Sequence, residues 1–286
     1  MATSRTAEYM ALYRALESSV RDRPPLFRDP FAVAFLEPSL LRATRLARVL
    51  PLRRAIERYA DYQVPGARTS AIARTRFIDD ALVAAIGAGS SQVVILGAGY
   101  DCRAHRLPAL RAAEVFEVDR AETQAVKRTR LGAREVHGAL RYVAVDFATD
   151  DLETSLDAAG WQSDEPTAFV WEGVTNYLSD AAVSKVLSLV GKSAAGGRLI
   201  FTYMHRGVLD GSVHFPGGAR ARERVKRLGE PWTYGLDPRE TESFLRSFGL
   251  VLDEDVGADA YRARYALESN GYAFYRIAVA HVARDT

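Results

Sequence analysis

Between residues 92 and 203 the chain carries five short apolar runs, and the first four each end in a glycine or an acid. QVVIL (92–96) leads into GAGYD, EVFEV (114–118) into Asp119, RYVAV (141–145) into Asp146, TAFVW (167–171) into Glu172, and RLIFTY (198–203) follows. Helical stretches at 121–131, 150–158 and 180–192 lie between them. Strands alternating with helices specify an α/β fold, a mostly parallel sheet covered on both faces. Near-continuous apolar runs are what strands buried on both faces require.

The flanks read differently. Residues 5–20 form an amphipathic helix, 31–62 short helices interrupted at Pro38 and Pro51, and 66–87 a longer helix. LVLDEDV (250–256) and YAFYRIAVAHV (272–282) predict an antiparallel pair at one end of the sheet, after a helix over 238–248. Residues 205–237, with HFPGG and EPWTYG, break the rhythm and read as an insertion over the strand ends, a lid. One domain is expected, with a helical cap (1–90), a core (91–204), the lid (205–237) and the rest of the sheet (238–286).

Composition excludes several classes. The single cysteine, Cys102, leaves no internal disulfide and no Cys-cluster metal site, and the five histidines show no metal-ligand spacing. No stretch approaches the roughly 18 apolar residues of a membrane span, and the N-terminus lacks an apolar signal core. A cytoplasmic protein is expected. Residues 1–76 hold 14 Arg and no Lys against 7 acids, although the net charge is only +2. That excess faces either an anionic partner or solvent. No aromatic-rich basic stripe or recognised module points to nucleic acid.

In an open α/β sheet ligands bind beyond the carboxyl ends of the strands. Gly97 and Gly99 there allow a tight turn and close approach of a ligand, though turns use glycine elsewhere too. Asp119, 20 residues after Gly99, either takes ribose hydroxyls or caps the helix 121–131. Glu117, two residues earlier, either assists or is a solvated strand residue. No third glycine follows; Tyr100-Asp101-Cys102-Arg103 stands where a helix N-terminus would meet a pyrophosphate. A nucleoside without phosphate suits this better, S-adenosylmethionine above all, with Asp101 as a cap or a water-mediated contact. Asp146 can accept the adenine amino group and Phe147 can pack on the ring, or the two form an ordinary turn. Glu172 stands near the sulfonium or amino group of the methionine part, or is a loop acid.

Arg74 points with the apolar stripe of its helix: Ala67, Ala71, Ile78, Ala81, Leu82 and Ala85 lie within about 80° of it. An inward charge needs a partner. A methionine carboxylate gripped in bidentate fashion supplies one, and so would a protein carboxylate such as Asp101. Arg76 points instead toward Asp80.

AIARTRFIDDAL, VVILGAGYDCRAHRL, FEVDRAETQAVKRTRL, VAVDF and FVWEGVTNYLSDAAVSKVL resemble the leucine carboxyl methyltransferase group. More closely they resemble its bacterial branch of S-adenosylmethionine-dependent O-methyltransferases, found in actinobacteria and polyketide pathways. SRTAEYMALYRALE and LFRDPFA fit that branch, and the likeness spans nearly the whole chain, least over 205–270. It implies a class I methyltransferase Rossmann-like sheet with an antiparallel last strand. It also implies Arg74 as carboxylate-binding arginine, Gly97 as loop contact, Asp119 as ribose acid, Asp146 and Phe147 around the adenine, Glu172 near the methionine part, and Arg5 as a basic N-terminal residue reaching the cofactor. The region after the fifth strand departs from the eukaryotic phosphatase methyltransferases, so a phosphatase tail is not the expected substrate.

The implied reaction is O-methylation of a small-molecule carboxylate or phenol of secondary metabolism. A carboxylate acceptor is already ionised, whereas a phenol benefits from a base. His205, Tyr203 and His214 are the candidates, and Asn176 and Tyr177 can shape the acceptor pocket. The expected protein is a monomer or homodimer without nucleic-acid or membrane partners. The alternatives are a non-catalytic S-adenosylmethionine-binding or regulatory protein and a dinucleotide-dependent reductase.

Overall fold

The computed structural model describes residues 5–134, 139–267 and 270–283. Seven strands form one sheet: β1 (Gln92–Leu96), β2 (Glu114–Asp119), β3 (Ala139–Ala144), β4 (Thr167–Trp171), β5 (Arg198–Met204), β6 (Leu250–Val256) and β7 (Tyr275–Val282). Their order is β3-β2-β1-β4-β5-β7-β6. The first five run parallel, and β7 is antiparallel to both β5 and β6. The strand order reverses between β1 and β4, which opens a crevice at their carboxyl ends.

Helices α1 (Arg5–Ser18), α2 (Pro38–Leu46), α3 (Leu50–Gln63) and α4 (Ala67–Gly87) precede the sheet. Pro38 and Pro51 stand in the first turns of α2 and α3, where a missing N–H costs nothing, so they start helices and separate them. Arg42, Arg45, Arg48, Arg54 and Arg58, on or beside these two helices, are exposed. Within the sheet region come α5 (Arg103–Arg106), α6 (Ala121–Leu131), α7 (Leu152–Ala158) and α8 (Asp180–Lys192). Asp151 caps α7 and Ser179 caps α8 through their side chains. Four shorter helices follow β5: α9 (Gly207–Asp210), α10 (Gly218–Arg227), α11 (Thr241–Arg246) and α12 (Ala258–Arg264).

Strand alternation sends side chains to two cores. Val94, Leu96, Phe116, Phe169, Phe201 and Tyr203 pack with Val183, Val186 and Leu187 of α8 on one face. Val93, Ile95, Val115, Val170 and Ile200 pack with Phe77, Ile78 and Leu82 of α4 on the other. Arg74, on this inward side of α4, is only 7% exposed, as its place in the apolar stripe predicts. A third cluster joins α1 to the turn Ala32–Phe35 and to Tyr100 and Cys102 beyond β1. In this way the N-terminal helices are brought against the mouth of the crevice.

Candidate active site

The crevice opens into a cavity of about 1360 Å³. Arg74, Gly97, Gly99, Asp101, Asp119, Asp146, Phe147 and Glu172 all line it. At β1 the chain turns through Gly97 (φ +65°) and Gly99 (φ +44°). A Cβ on Gly97 would stand 2.3 Å from Val174 Cγ2, so only glycine lets the loops after β1 and β4 meet.

Asp119 holds this turn in place. Its Oδ2 accepts the Gly99 N–H at 2.6 Å and its Oδ1 accepts the Arg120 N–H at 2.7 Å. It does not cap α6: the capping position is Arg120, with no side-chain cap bond. Each oxygen keeps a lone pair, enough to accept a pair of hydroxyls. Glu117 is neither an assistant nor solvated. It is 1% exposed and pairs with the equally buried Lys127 at 2.6 Å. Asp146 Oδ1 accepts the Ala148 N–H at 2.9 Å in an Asx turn, and Phe147 stands half-buried beside it.

Glu172, at the end of β4, receives two arginines. Arg74 Nε donates to Oε1 at 2.6 Å and Arg103 Nη1 to Oε2 at 2.9 Å. Burial works to raise the Glu172 pKa, but Arg103 and Arg74 outweigh it and hold the carboxyl below its usual range. Arg103 also donates from Nε to Asp79 at 2.8 Å and pairs with Asp101. Burial opposes the Asp101 charge as well, yet Arg103 and Lys127 bring that pKa down to about 2. Arg74 thus meets Glu172, not Asp101. Its Nη2 reaches Met10 Sδ at 3.2 Å, and its guanidinium lies 4.8 Å from the Tyr275 ring centroid. Nη1 has no hydrogen-bond partner among the described residues and remains available to an anion.

None of the three candidate bases lines the cavity. On β5 Tyr203 shares the parity of Leu199 and Phe201 and points into the α8 face, whereas Met204 is the residue that lines the cavity. The Tyr203 hydroxyl is buried and donates to Asp255 at 2.5 Å, and burial with that carboxylate raises its pKa far above a phenol's. His205 lies outside the lining because the chain turns there. Its Nδ1 accepts the Gly207 N–H at 3.0 Å and its ring packs on Phe215, with burial lowering its pKa. His214 is exposed and away from the lining, and Arg5 pairs with Glu8 at 2.9 Å rather than reaching inward. Arg76 bonds Asp80 as expected.

Asn176 and Tyr177 do line the cavity. Sequence reasoning missed Arg103, which sits in the run already inspected for a third glycine. It also missed Tyr9 and Tyr13 of α1, Arg224 of α10, Trp232 in the loop after α10, Tyr272 just before β7 and Tyr275 at its start, which all line the cavity. Among the described residues no His, Cys, Asp and Glu cluster could hold a metal ion, and no helix is long and apolar enough to cross a membrane.

These features fit S-adenosylmethionine: carboxylate oxygens with spare lone pairs at Asp119, an open Arg74 Nη1 beside Glu172, and a glycine turn that a Cβ would block. The leucine carboxyl methyltransferase family model matches residues 7–191. A Frankia alni protein named for S-adenosyl-L-methionine-dependent methyl transfer is 37% identical over 228 residues, 76% of this chain and 73% of its own. A Streptomyces coelicolor protein with the same kind of name is 37% identical over 217 residues, 75% of this chain and 72% of its own. Among solved structures, a Thermobifida fusca protein described as a methyltransferase matches with a TM-score of 0.61 at 21% identity, covering 83% of this chain and 91% of that one. A Streptomyces avermitilis protein of the DUF574 family also gives 0.61, at 16% identity, covering 94% and 96%. The two structures bear out the fold: a mostly parallel sheet with an antiparallel last strand.

Proposed function

The chain belongs to the leucine carboxyl methyltransferase family and is an S-adenosylmethionine-dependent methyltransferase; on that premise we propose that it methylates an oxygen of a small molecule of secondary metabolism, a carboxylate or a phenolic hydroxyl. The observation that carries this reading is the size of the cavity. Its volume of about 1360 Å³ exceeds the roughly 300–1,000 Å³ of a one-ligand pocket and leaves room for an acceptor beside the cofactor. Transfer to oxygen is supported by the family, which is named for a carboxyl acceptor.

When bound, the cofactor supplies a methyl group on a sulfonium, whose carbon–sulfur electrons return to sulfur as the acceptor oxygen takes the carbon. The residues bind, orient and exclude water. Arg74 Nη1 holds the methionine carboxylate while Nε stays on Glu172. Glu172 faces the methionine amino group, Asp119 takes the ribose hydroxyls, and Asp146 accepts the adenine amino group with Phe147 against the ring. Gly97 and Gly99 admit the cofactor close to the backbone, and Asp101 fixes Arg103. Binding in the cytoplasm as a monomer or homodimer completes the reading.

The test is multiple turnover with methyl-labelled S-adenosylmethionine and a panel of aryl carboxylic acids and phenols. Repeated release of S-adenosylhomocysteine with label in the acceptor is expected. Label lost in mild alkali marks a methyl ester, and stable label a methyl ether. Tight cofactor binding with no turnover on any acceptor would favour a binding protein instead.

A further inference from the structure

Four cavity arginines already meet a protein carboxylate: Arg14 meets Asp29, Arg74 meets Glu172, and Arg103 and Arg106 meet Asp79. Two more line the cavity without meeting one among the described residues: Arg120, which is exposed, and Arg224 of α10, which is half-buried. The Arg224 guanidinium lies 5.5 Å from the Tyr9 ring centroid, with Nη2 3.5 Å from the Tyr9 hydroxyl. The nearby acid Asp61 is taken by Arg68 at 2.7 Å, and Glu223 by Arg227 at 3.0 Å. A partly desolvated guanidinium over an aromatic wall is a seat for an anion.

The side next to Tyr177 asks for the opposite. Asn176 is 2% exposed, and its Oδ1 has no hydrogen-bond partner. Glu230 Oε2, close to Tyr177, is likewise buried without one. Two orphan acceptors favour a ligand O–H and repel a carboxylate. This side borders the methionine end, because Tyr177 neighbours Tyr275 and the Tyr275 ring lies under Arg74. Tyr272 also lines the cavity, within electrostatic reach of Arg74, Tyr177 and Arg224.

Resting on the cofactor reading above, we propose that the acceptor is a hydroxylated aromatic acid. Arg224 holds its anionic group, Tyr9, Tyr13 and Tyr272 flank its ring, and its hydroxyl takes the methyl. The hydroxyl oxygen forms the new carbon–oxygen bond, its proton passes to water, and the carbon–sulfur pair stays on sulfur. The carboxylate is not methylated, because Arg224 holds it away from the methionine end that the hydroxyl faces.

The test uses full-length protein saturated with S-adenosylhomocysteine, titrated with 4-hydroxybenzoate and 6-hydroxy-2-naphthoate, each beside its primary carboxamide. The better-bound acid is expected to exceed its carboxamide by about tenfold, the worth of a charge-assisted bond. In R224Q that ratio falls to near one with S-adenosylhomocysteine affinity unchanged, while R224K keeps part of it. Turnover of the acid gives an alkali-stable ether. Equal binding of acid and carboxamide, a ratio untouched in R224Q, binding of neither probe, or an alkali-labile ester would each overturn the inference and leave the cofactor reading standing. If S-adenosylhomocysteine itself fails to bind the wild type, the cofactor reading falls first.

Discussion

At the strand ends Arg103 is 2% exposed and meets Asp79, Asp101 and Glu172, whereas across the same cavity Arg224 is half-buried and meets no carboxylate. The first arrangement is closed on itself. Each buried charge there has an opposite charge in contact, so the geometry is fixed before any ligand arrives. The second is open, and its unmet groups acquire partners only from a ligand. Rigid, self-neutralised charge suits a cofactor that never varies, and unmet charge suits the partner that sets specificity.

The largest expected effect breaks the closed end. Arg103→Met leaves Asp79, Asp101 and Glu172 short of a cation and should lower unfolding free energy by about 3–5 kcal/mol. Arg224→Gln removes a guanidinium with no ion pair and should change it by less than about 0.5 kcal/mol. Parallel urea titrations compare the two, and equal losses would erase the distinction between the ends.

Arg74 lies on the boundary, with one nitrogen committed and one open. Arg74→Lys should cost S-adenosylmethionine binding about 1.5–3 kcal/mol, because Lys cannot hold Glu172 and a second carboxylate together. The affinity for 5′-methylthioadenosine, which lacks the carboxylate, should stay nearly constant. Equal losses by calorimetry would make Arg74 a structural residue only.

Acid should loosen the closed end. Asp101 titrates at about 2 when folded against 3.8 unperturbed, and Glu172 is lowered in the same direction. A lowered pKa contributes stability above the unfolded value that is lost as pH falls through the folded one. For Asp101 this amounts to roughly 2 kcal/mol, disappearing between about pH 4 and pH 2. Denaturant midpoints across that window should fall, and Asp101→Asn should flatten the slope.

The smallest effect separates Tyr203 from both ends. Tyr203→Phe removes its bond to Asp255 and should cost about 1 kcal/mol of stability. Cofactor affinity and turnover should not change. A loss of turnover at unchanged stability would return Tyr203 to the site.

The same contrast explains what the sequence disclosed. Asp119, Asp146 and Glu172 were legible because a strand and the residue that ends it are contiguous in the chain, and the parallel sheet aligns such ends. The inward turn of Arg74 was legible from helical periodicity. Tyr203 and His205 were misplaced because nearness to a strand end does not settle which way a side chain points. Tyr203 falls on the parity of Phe201, and His205 on a turn that closes onto Gly207. Arg103 was hidden because its three carboxylates come from α4, the loop after β1 and the loop after β4. Glu117 was misread because its partner Lys127 lies ten residues on, on the inner face of α6. Arg224 gave no signal, since its neighbours, Tyr9 and Tyr13 of α1 and Tyr272 before β7, lie far from it in the chain.

The contact between Arg224 and Tyr9 joins residues 215 positions apart. Every residue assigned to the cofactor lies between Arg74 and Glu172, so those residues have all been synthesised before α10 exists. In a chain growing from its N-terminus, α1 must therefore wait, its Tyr9 and Tyr13 without Arg224 of α10, until more than two hundred further residues have emerged. Closing so long a loop is slow relative to local pairing. Newly made protein should acquire the ability to hold its cofactor earlier than the ability to choose its acceptor.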